Sequence, residues 1–98
     1  KLDTKAIESF IRGKNVLITG AAGSIGSELS RQAAKFRPSF LLLLDQDESG
    51  IFNISEVLKA KFPYLKIQPL IVDITDKEKI NRLFGEFKPD IIFHAAAY

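Results

Sequence analysis

Four apolar runs alternate along the chain with segments whose apolar residues recur at helical spacing. The runs cover residues 15–19, 40–44, 66–72 and 91–93. Continuous apolar runs of this length are typical of strands that are buried on both faces of a parallel sheet. The alternation of such runs with helical segments predicts an α/β fold with about four parallel strands and helices on both faces.

One helix is predicted before the first strand and one between each pair of strands. The leading helix ends at Gly13, and the next two cover 24–36 and 49 to before Pro63. The last begins at a capping box of Thr75 and Glu78, and it ends before Pro89. A cap at Asp3 or Thr4 is expected for the leading helix. The residues expected on the buried faces are Ile7, Phe10 and Ile11; Ile25, Leu29, Ala33 and Phe36; Ile51, Ile54, Val57, Leu58 and Phe62; and Ile80, Leu83, Phe84 and Phe87.

Pro69 indicates the order of the strands. A proline cannot donate to a central ladder, so the third strand is expected at a sheet edge. The Rossmann order 3-2-1-4 places it there. Right-handed crossovers then put the first two intervening helices on one face and the third on the other. The leading helix is expected to pack on the flank of this unit, and the sheet face covered by the third intervening helix is its candidate position. Ligand is expected beyond the carboxyl ends of the strands, between strands one and four.

Composition and charge exclude several classes of protein. The 98 residues suffice for one domain or part of one. No apolar run approaches the roughly 18 residues of a membrane span, and no secretory signal is present. The net charge of +2 is scattered, which favours solvated helix faces over a nucleic-acid surface. The absence of cysteine is consistent with a reducing compartment, and we expect a cytoplasmic location.

Residues 20–26, Gly-Ala-Ala-Gly-Ser-Ile-Gly, predict a phosphate-binding turn between the first strand and its helix. Gly20 needs backbone angles that a side chain forbids. Gly23 lets the backbone approach a pyrophosphate, and Gly26 lets the helix pack against the strand. The helix N-terminus then offers N–H groups to the phosphates. The spacing is a variant of G-x-G-x-x-G, and an ordinary glycine-rich loop is the alternative. The candidate site also includes Ala22, Ser24 and Ile25.

An aspartate ends the second strand. Asp45 lies where the dinucleotide fingerprint places an acid that accepts hydrogen bonds from the adenosine ribose hydroxyls. A carboxylate there repels a 2′-phosphate, which favours NAD over NADP as the cofactor. Gln46 is expected to share this site, and Asp47 either shares it or starts the next helix. The alternative for Asp45 is a solvated acid at a strand end.

The third and fourth strands end in further candidates. Asp73 could meet the adenine amino group while Ile74 walls the base, or Asp73 could only orient its turn. Ala95, Ala96 and Ala97 would let the backbone lie close to the nicotinamide half of a dinucleotide. Small residues in such a run are also compatible with helix or with tight packing.

The remaining chemistry-bearing residues favour structural roles. His94, which has no triad partner nearby in sequence, is interpreted as a packed strand-end residue rather than a catalytic base. Tyr98 is interpreted as pocket wall. No metal-ligand cluster is visible in the sequence.

Four segments together resemble a known family. They are Thr-Gly-Ala-Ala-Gly-Ser-Ile-Gly-Ser-Glu-Leu at 19–29, Leu-Asp-Gln-Asp-Glu at 44–48, Val-Asp-Ile-Thr-Asp at 72–76 and Pro-Asp-Ile-Ile-Phe-His-Ala-Ala-Ala-Tyr at 89–98. They resemble the extended short-chain dehydrogenase/reductase family, and more narrowly the CapD-like polysaccharide biosynthesis proteins. Those are nucleotide-sugar 4,6-dehydratases and epimerases. The resemblance covers nearly all of the chain from Gly13 onward.

The resemblance implies a tightly bound NAD(P) and a UDP-linked N-acetylhexosamine as substrate. In that family the cofactor takes a hydride from C4 of the sugar, the C5 proton and C6 hydroxyl are eliminated, and the hydride returns to C6. A Tyr-x-x-x-Lys pair handles the C4 hydroxyl proton, and these 98 residues contain no such pair. Residues 14–98 are therefore expected to be the N-terminal half of a Rossmann domain that follows a leading helix at 1–13. Several family members carry membrane spans upstream.

Two other functions remain compatible with the residues. One is a noncatalytic dinucleotide-binding or regulatory module, and the other is a short-chain reductase of small carbonyl compounds. A Tyr-x-x-x-Lys pair downstream would favour an enzyme over the noncatalytic module. We expect the isolated chain to be catalytically inactive, and to self-associate through the open edge of the fourth strand.

Overall fold

Four helices alternate with four strands in the structure, a computed structural model that describes residues 4–96. The side chain of Thr4 lies outside that description, as does Asp3, so the expected cap of the leading helix lies outside it too. The elements are α1 (Thr4–Ile11), β1 (Asn15–Thr19), α2 (Ser24–Lys35), β2 (Phe40–Asp45), α3 (Glu48–Lys61), β3 (Ile67–Ile71), α4 (Lys77–Phe87) and β4 (Ile91–His94). Among these helices, none is long and apolar enough to cross a lipid bilayer.

The four strands form one parallel sheet in the order β3-β2-β1-β4. Leu17 of β1 is paired with Leu42 of β2 on one side and with Ile92 of β4 on the other. The predicted strand order is therefore confirmed. Since β1 and β4 are neighbours whose connections leave in opposite directions, a crevice opens between their carboxyl ends.

Pro69 lies on the edge strand, as predicted, and it interrupts no hydrogen bond to β2. The N–H of Leu41 donates to the carbonyl of Lys66, and the N–H of Val72 donates to the carbonyl of Asp45. In a parallel ladder of this register, residues 66, 68, 70 and 72 bond to β2, while residues 67, 69 and 71 direct their backbone groups to the open side. A backbone N–H at position 69 would point to the open edge of the sheet, so its absence in proline costs no hydrogen bond between β3 and β2.

The sheet buries a separate apolar cluster on each face. On one face, Val16 and Ile18 of β1 and Leu41 and Leu43 of β2 pack with side chains of α1, α2 and α3. On the other face, Leu17, Leu42 and Leu44 pack with Leu70 and with the apolar side of α4. The distribution of α2, α3 and α4 agrees with right-handed crossovers. The leading helix α1 shares the face of α2 and α3, so the expectation that it shares the face of α4 is wrong.

Three side chains expected in the core are exposed. Phe10 is 59% exposed because it lies one residue, or about 100°, around α1 from the buried Ile11. Val57 is 52% exposed because the buried stripe of α3 runs through Ser55 rather than through position 57. Ile25 is 71% exposed because it occupies the first turn of α2, beyond the end of the sheet.

Aspartates cap α3 and α4. Asp47 accepts a hydrogen bond from the N–H of Gly50, so it starts α3. Asp76 accepts from the N–H of Lys79 and caps α4. The predicted capping box of Thr75 and Glu78 is therefore wrong by one residue. Thr75 instead uses both its N–H and its hydroxyl to bind a carboxylate oxygen of Asp73.

Candidate functional site

A cleft of about 380 Å³ lies at the carboxyl ends of the strands. This volume is within the range of small-molecule and cofactor sites. The residues that line the cleft come from the ends of all four strands and from the first turn of α2: Gly20, Gly23, Ser24, Ile25, Gly26, Leu44, Asp45, Gln46, Val72, Ile74, Ala95 and Ala96. The sequence predicted most of these residues as binding residues, and the structure brings them together.

The glycine turn has the backbone geometry that its sequence predicts. Gly20 has a φ of +69°, and a Cβ there would lie 2.6 Å from the backbone nitrogen of Ala96. A Cβ on Gly26 would overlap the carbonyl oxygen of Gly20. Gly23 has room for a Cβ, with Gly20 oxygen at an ordinary 3.5 Å. Gly20 therefore serves the turn and the approach to β4, and Gly26 serves the packing of α2 on β1.

The N-terminus of α2 faces the cleft with free backbone donors. Its N-cap, Gly23, has no side chain to accept hydrogen bonds from the first turn. The carbonyl of Gly23 accepts the hydrogen bond from the N–H of Ser27 at 2.8 Å, which leaves Ser24, Ile25 and Gly26 ahead of the first helical bond. N–H groups at a helix start attract anions. This end of α2 can therefore hold a phosphate group of a ligand in the cleft.

The carboxylate of Asp45 links β2 to the glycine turn. One oxygen accepts a hydrogen bond from the N–H of Ala22 at 3.0 Å, and the other accepts from the N–H of Asp47 at 3.0 Å. Asp45 is half-buried and lines the cleft, with Gln46 beside it. Its oxygens keep lone pairs beyond these two bonds, so the carboxylate can also accept hydrogen bonds from a ligand.

The third strand contributes apolar walls more clearly than it contributes a polar group. Val72 and Ile74 line the cleft. Asp73, between them, is exposed and is not among the lining residues. Its hydrogen bonds from the backbone and the hydroxyl of Thr75 hold the pKa of its carboxyl below the ordinary value. The alternative role for Asp73, orienting its own turn, therefore has direct geometric support, and its predicted contact with adenine stays a prediction.

A hydrogen bond joins the ends of β1 and β4. The hydroxyl of Thr19 lies 2.8 Å from Nδ1 of His94, and the N–H of Ala95 donates to the carbonyl of Thr19. These contacts hold Ala95 and Ala96 against Gly20 at one wall of the cleft. Ala97 and Tyr98, also predicted there, lie outside the described residues. His94 is exposed, so the expectation that it is packed is wrong, although its hydrogen bond to Thr19 links the two strand ends.

Several features of the site escaped the sequence reasoning. Leu44 and Val72 line the cleft, and their position just before each strand-end aspartate is the signal that could have found them. Ala22, predicted as a binding residue, is instead not among the lining residues, since its N–H is directed to Asp45. Within residues 4–96, no group of three His, Asp or Glu side chains could hold a metal ion.

The fold and the cleft define a class of protein. A parallel sheet in the order 3-2-1-4, with a glycine turn and a helix N-terminus at the point where the strand order reverses, is the Rossmann type of nucleotide-binding fold, here in partial form. The model of one family, described as polysaccharide biosynthesis protein, matches residues 16–98. The chain belongs to this family.

Relatives with similar sequences are much longer than this chain. The chain is 40% identical to the probable polysaccharide biosynthesis protein EpsC of Bacillus subtilis, over 99% of the chain and 16% of EpsC. It is 38% identical to the capsular polysaccharide biosynthesis protein CapD of Staphylococcus aureus, over 100% of the chain and 16% of CapD. It is 29% identical to a UDP-N-acetylglucosamine 4,6-dehydratase (inverting) of Campylobacter jejuni, over 90% of the chain and 25% of the relative. The chain therefore spans a quarter or less of these relatives.

Solved structures share the fold. A short-chain dehydrogenase from Shigella flexneri matches 93% of the chain with 38% of its own, at a TM-score of 0.78 and 19% identity. L-sorbose reductase from Gluconobacter frateurii, complexed with NADPH and L-sorbose, matches at 0.76 and 24% identity, and an NAD⁺-bound xylitol dehydrogenase matches at 0.70 and 24%. Both of these matches cover 90% of this chain and 35% of the matched structure's own chain. The partial short-chain dehydrogenase/reductase fold is thus confirmed.

Proposed function

We propose that this chain is the NAD(P)-binding part of a nucleotide-sugar 4,6-dehydratase or epimerase that acts in the synthesis of a surface polysaccharide. The observation that carries the proposal is the cleft, where a glycine turn, a helix N-terminus and a strand-end carboxylate surround one space. Its position at the strand-order reversal of a Rossmann-type sheet supports a dinucleotide as the ligand. The polysaccharide biosynthesis family and the dehydratase among the relatives support the reaction.

The residues present fit a dinucleotide. The pyrophosphate would lie against the first turn of α2, at Ser24, Ile25 and Gly26, because free N–H groups stabilise its charge there. A side chain at Gly20 would clash with the backbone of Ala95 and Ala96, and one at Gly26 with the backbone of Gly20, so these glycines let the turn pack closely enough to present the N–H groups to the cleft. When bound, the cofactor would supply reversible hydride transfer at the sugar.

The adenosine half of the cofactor would lie toward β2 and β3. Asp45 would accept hydrogen bonds from the ribose hydroxyls, with Gln46 nearby, and Ile74 would wall the adenine. The repulsion between the Asp45 carboxylate and a 2′-phosphate favours NAD over NADP. Ala95 and Ala96, with Ala97, would lie close to the ribose-nicotinamide half. The proton-transfer pair of the family is absent from these 98 residues, so these residues bind and orient the cofactor rather than carry the sugar chemistry.

The reaction itself is tested with the full-length protein and UDP-N-acetylglucosamine. A dehydratase yields a product lighter by one water, without net change in cofactor oxidation state, because the hydride taken from C4 returns to C6. Mass spectrometry and absorbance of the reduced nicotinamide measure the two quantities. Cofactor binding without turnover of UDP-N-acetylhexosamines would favour the noncatalytic module. Net oxidation of reduced cofactor by small carbonyl compounds would favour the reductase.

The proposed partners follow from the same function. The substrate is a nucleotide-linked sugar, and no nucleic acid is involved. We place the site in the cytoplasm, on a protein that could carry membrane spans before this region. The isolated chain is expected to be inactive. It is also expected to self-associate through the outer edge of β4, where Ile92 is exposed. A monomeric sedimentation profile at high concentration would contradict the self-association.

A further inference from the structure

We propose that Asp45 is a positioning residue that holds the glycine turn in its binding shape before a ligand arrives. The inference rests on the proposed function, because it assumes that the cleft binds a dinucleotide. It adds a second task to the ribose contact expected of this carboxylate. The ribose part and the pyrophosphate part of the site would then depend on one side chain.

Two successive amides of the turn are held by the end of β2. The N–H of Ala21 donates to the carbonyl of Leu44 at 3.1 Å, and the N–H of Ala22 donates to the Asp45 carboxylate at 3.0 Å. The first bond is a backbone contact that any residue at position 45 would allow. The second depends on the side chain. The N–H of Ala22 is directed to the carboxylate, and Ala22 does not line the cleft.

The same carboxylate also holds the start of α3. Its other oxygen accepts from the N–H of Asp47, and Asp47 in turn accepts from the N–H of Gly50 at 3.0 Å. A Cβ on Gly50 would lie 2.6 Å from the Cβ of Ala22, so the start of α3 packs directly against the turn. The turn is therefore held from two directions, by the hydrogen bond that Ala22 donates to Asp45 and by a contact with a helix that Asp45 helps to place.

The arrangement accounts for how the turn keeps its shape despite its glycines. Glycines leave the unfolded and unliganded turn with many accessible conformations, and ordering them on binding would weaken affinity. A carboxylate accepts stronger hydrogen bonds from backbone N–H groups than a neutral oxygen does. Asp45 therefore lowers the entropy lost on binding, and it acts on the pyrophosphate position without touching it.

The test separates the positioning role from the ribose contact. Dissociation constants are measured for the full-length protein with ADP and with 2′,3′-dideoxy-ADP, which lacks both ribose hydroxyls. If Asp45 also positions the turn, Asp45→Ala weakens binding of the dideoxy nucleotide by about tenfold. Asp45→Asn keeps one acceptor oxygen for two N–H groups, so its affinity for the dideoxy nucleotide should lie between those of the wild type and Asp45→Ala. If Asp45 only binds ribose, neither variant changes the affinity for the dideoxy nucleotide, and the proposal is overturned.

A ligand-free readout completes the test. Amide hydrogen exchange at Ala22 should accelerate in Asp45→Ala, because its acceptor is gone. Asp76→Ala is the matched control, since it removes another carboxylate that accepts a backbone N–H, but at the start of α4. It should leave Ala22 exchange and nucleotide affinity unchanged. Unchanged exchange at Ala22 in Asp45→Ala would refute the inference. If the wild-type protein bound neither nucleotide, the proposed function would fail, and Ala22 exchange would still decide whether Asp45 holds the turn.

Discussion

The carbonyl oxygen of Gly20 occupies the space that a Cβ atom on Gly26 would take. The two glycines thus have different tasks within one turn. Gly20 has a positive φ, and Gly26 lies in the first turn of α2 with its Cα against the backbone of the preceding residues. Helix α2 can approach β1 closely only because position 26 has no side chain.

Replacing Gly26 with alanine should destabilise the protein. Backbone atoms, which cannot rotate away, would meet the new methyl group, so we expect a loss of about 1–3 kcal/mol in the free energy of unfolding. Gly85→Ala in α4 is the matched control, because apart from the neighbouring backbone of its own helix no described atom lies within 4 Å of the position that its Cβ would take. Alanine should there stabilise the helix by about 0.5–1 kcal/mol. Chemical denaturation measures both, and equal effects of the two variants would contradict the packing role of Gly26.

Two buried serines should respond oppositely to alanine. The hydroxyl of Ser55 in α3 is buried without a hydrogen-bond partner among the described residues, whereas that of Ser30 in α2 donates to the carbonyl of Gly26 at 2.7 Å. Ser55→Ala should therefore raise the free energy of unfolding by about 1 kcal/mol, since it removes an unsatisfied polar group. Ser30→Ala should lower it, since alanine removes a hydrogen bond that is made in the fold. Destabilisation by Ser55→Ala, measured by denaturant titration, would indicate that its hydroxyl is satisfied.

Proline should be tolerated on β3 only where it already lies. Gln68 directs its N–H toward β2, so Gln68→Pro removes a ladder bond and should cost about 1–3 kcal/mol. Pro69→Val gains no bond to β2 and should change the free energy of unfolding by less than about 1 kcal/mol. It adds a donor to the open edge, however, so sedimentation should detect more self-association. An equal loss of stability in both variants would contradict the register described above.

Removal of the Asp45 carboxylate should reduce the preference for NAD over NADP. The charge repels the 2′-phosphate of NADP, so the ratio of the two affinities should fall by about tenfold in Asp45→Ala. The ratio is the relevant quantity, because loosening of the turn would weaken both cofactors alike. Titration of the full-length protein with each cofactor measures it. An identical ratio in wild type and variant would remove Asp45 from the ribose site.

Asp73 should stabilise its turn in a pH-dependent way. Its hydrogen bonds from Thr75 lower the pKa of the folded-state carboxyl, so the unfolded state binds the proton more tightly. The stabilisation of the folded state by the ionised Asp73 carboxylate is fully present above the ordinary aspartate pKa of about 3.9. It is lost as the pH falls through the lowered folded-state pKa. An NMR titration of the Asp73 carboxyl measures the shift. Thr75→Val, which keeps the N–H and loses the hydroxyl, should reverse part of it, and a wild-type pKa at or above the ordinary value would contradict this account.

The sequence predicted the sheet well because local and global signals agree there. Each strand is an apolar run between turn residues, and Pro69 allows only an edge position, so the strand order and the sheet faces of α2, α3 and α4 followed from topology. Which side of each helix is buried was predicted less well. When the buried side of a helix is predicted from apolar residue types, it includes Phe10 and Val57, which are apolar but exposed. It also leaves out Ser55, which is polar but buried.

The candidate site was predicted through its positions rather than through its contacts. Glycine spacing and strand-end residues identified the walls of the cleft, because parallel strands bring their carboxyl ends to one edge. The hydrogen bond from Ala22 to Asp45 was not predictable, since it joins the glycine turn to the end of β2, and their separation depends on the folded sheet. The cap at Asp76 was missed because Thr75 and Asp76 both suit an N-cap. In the fold Asp76 accepts from the N–H of Lys79, whereas Thr75 is bonded to Asp73.

The hydrogen bond between Thr19 and His94 gives the chain a spectroscopic reporter. His94 is the single histidine of these 98 residues, so its imidazole protons produce one set of NMR signals without isotope labelling. The ring lies where β1 and β4 end, next to Ala95 at the wall of the cleft. Ligands that enter the cleft could therefore be followed through the chemical shifts of one side chain.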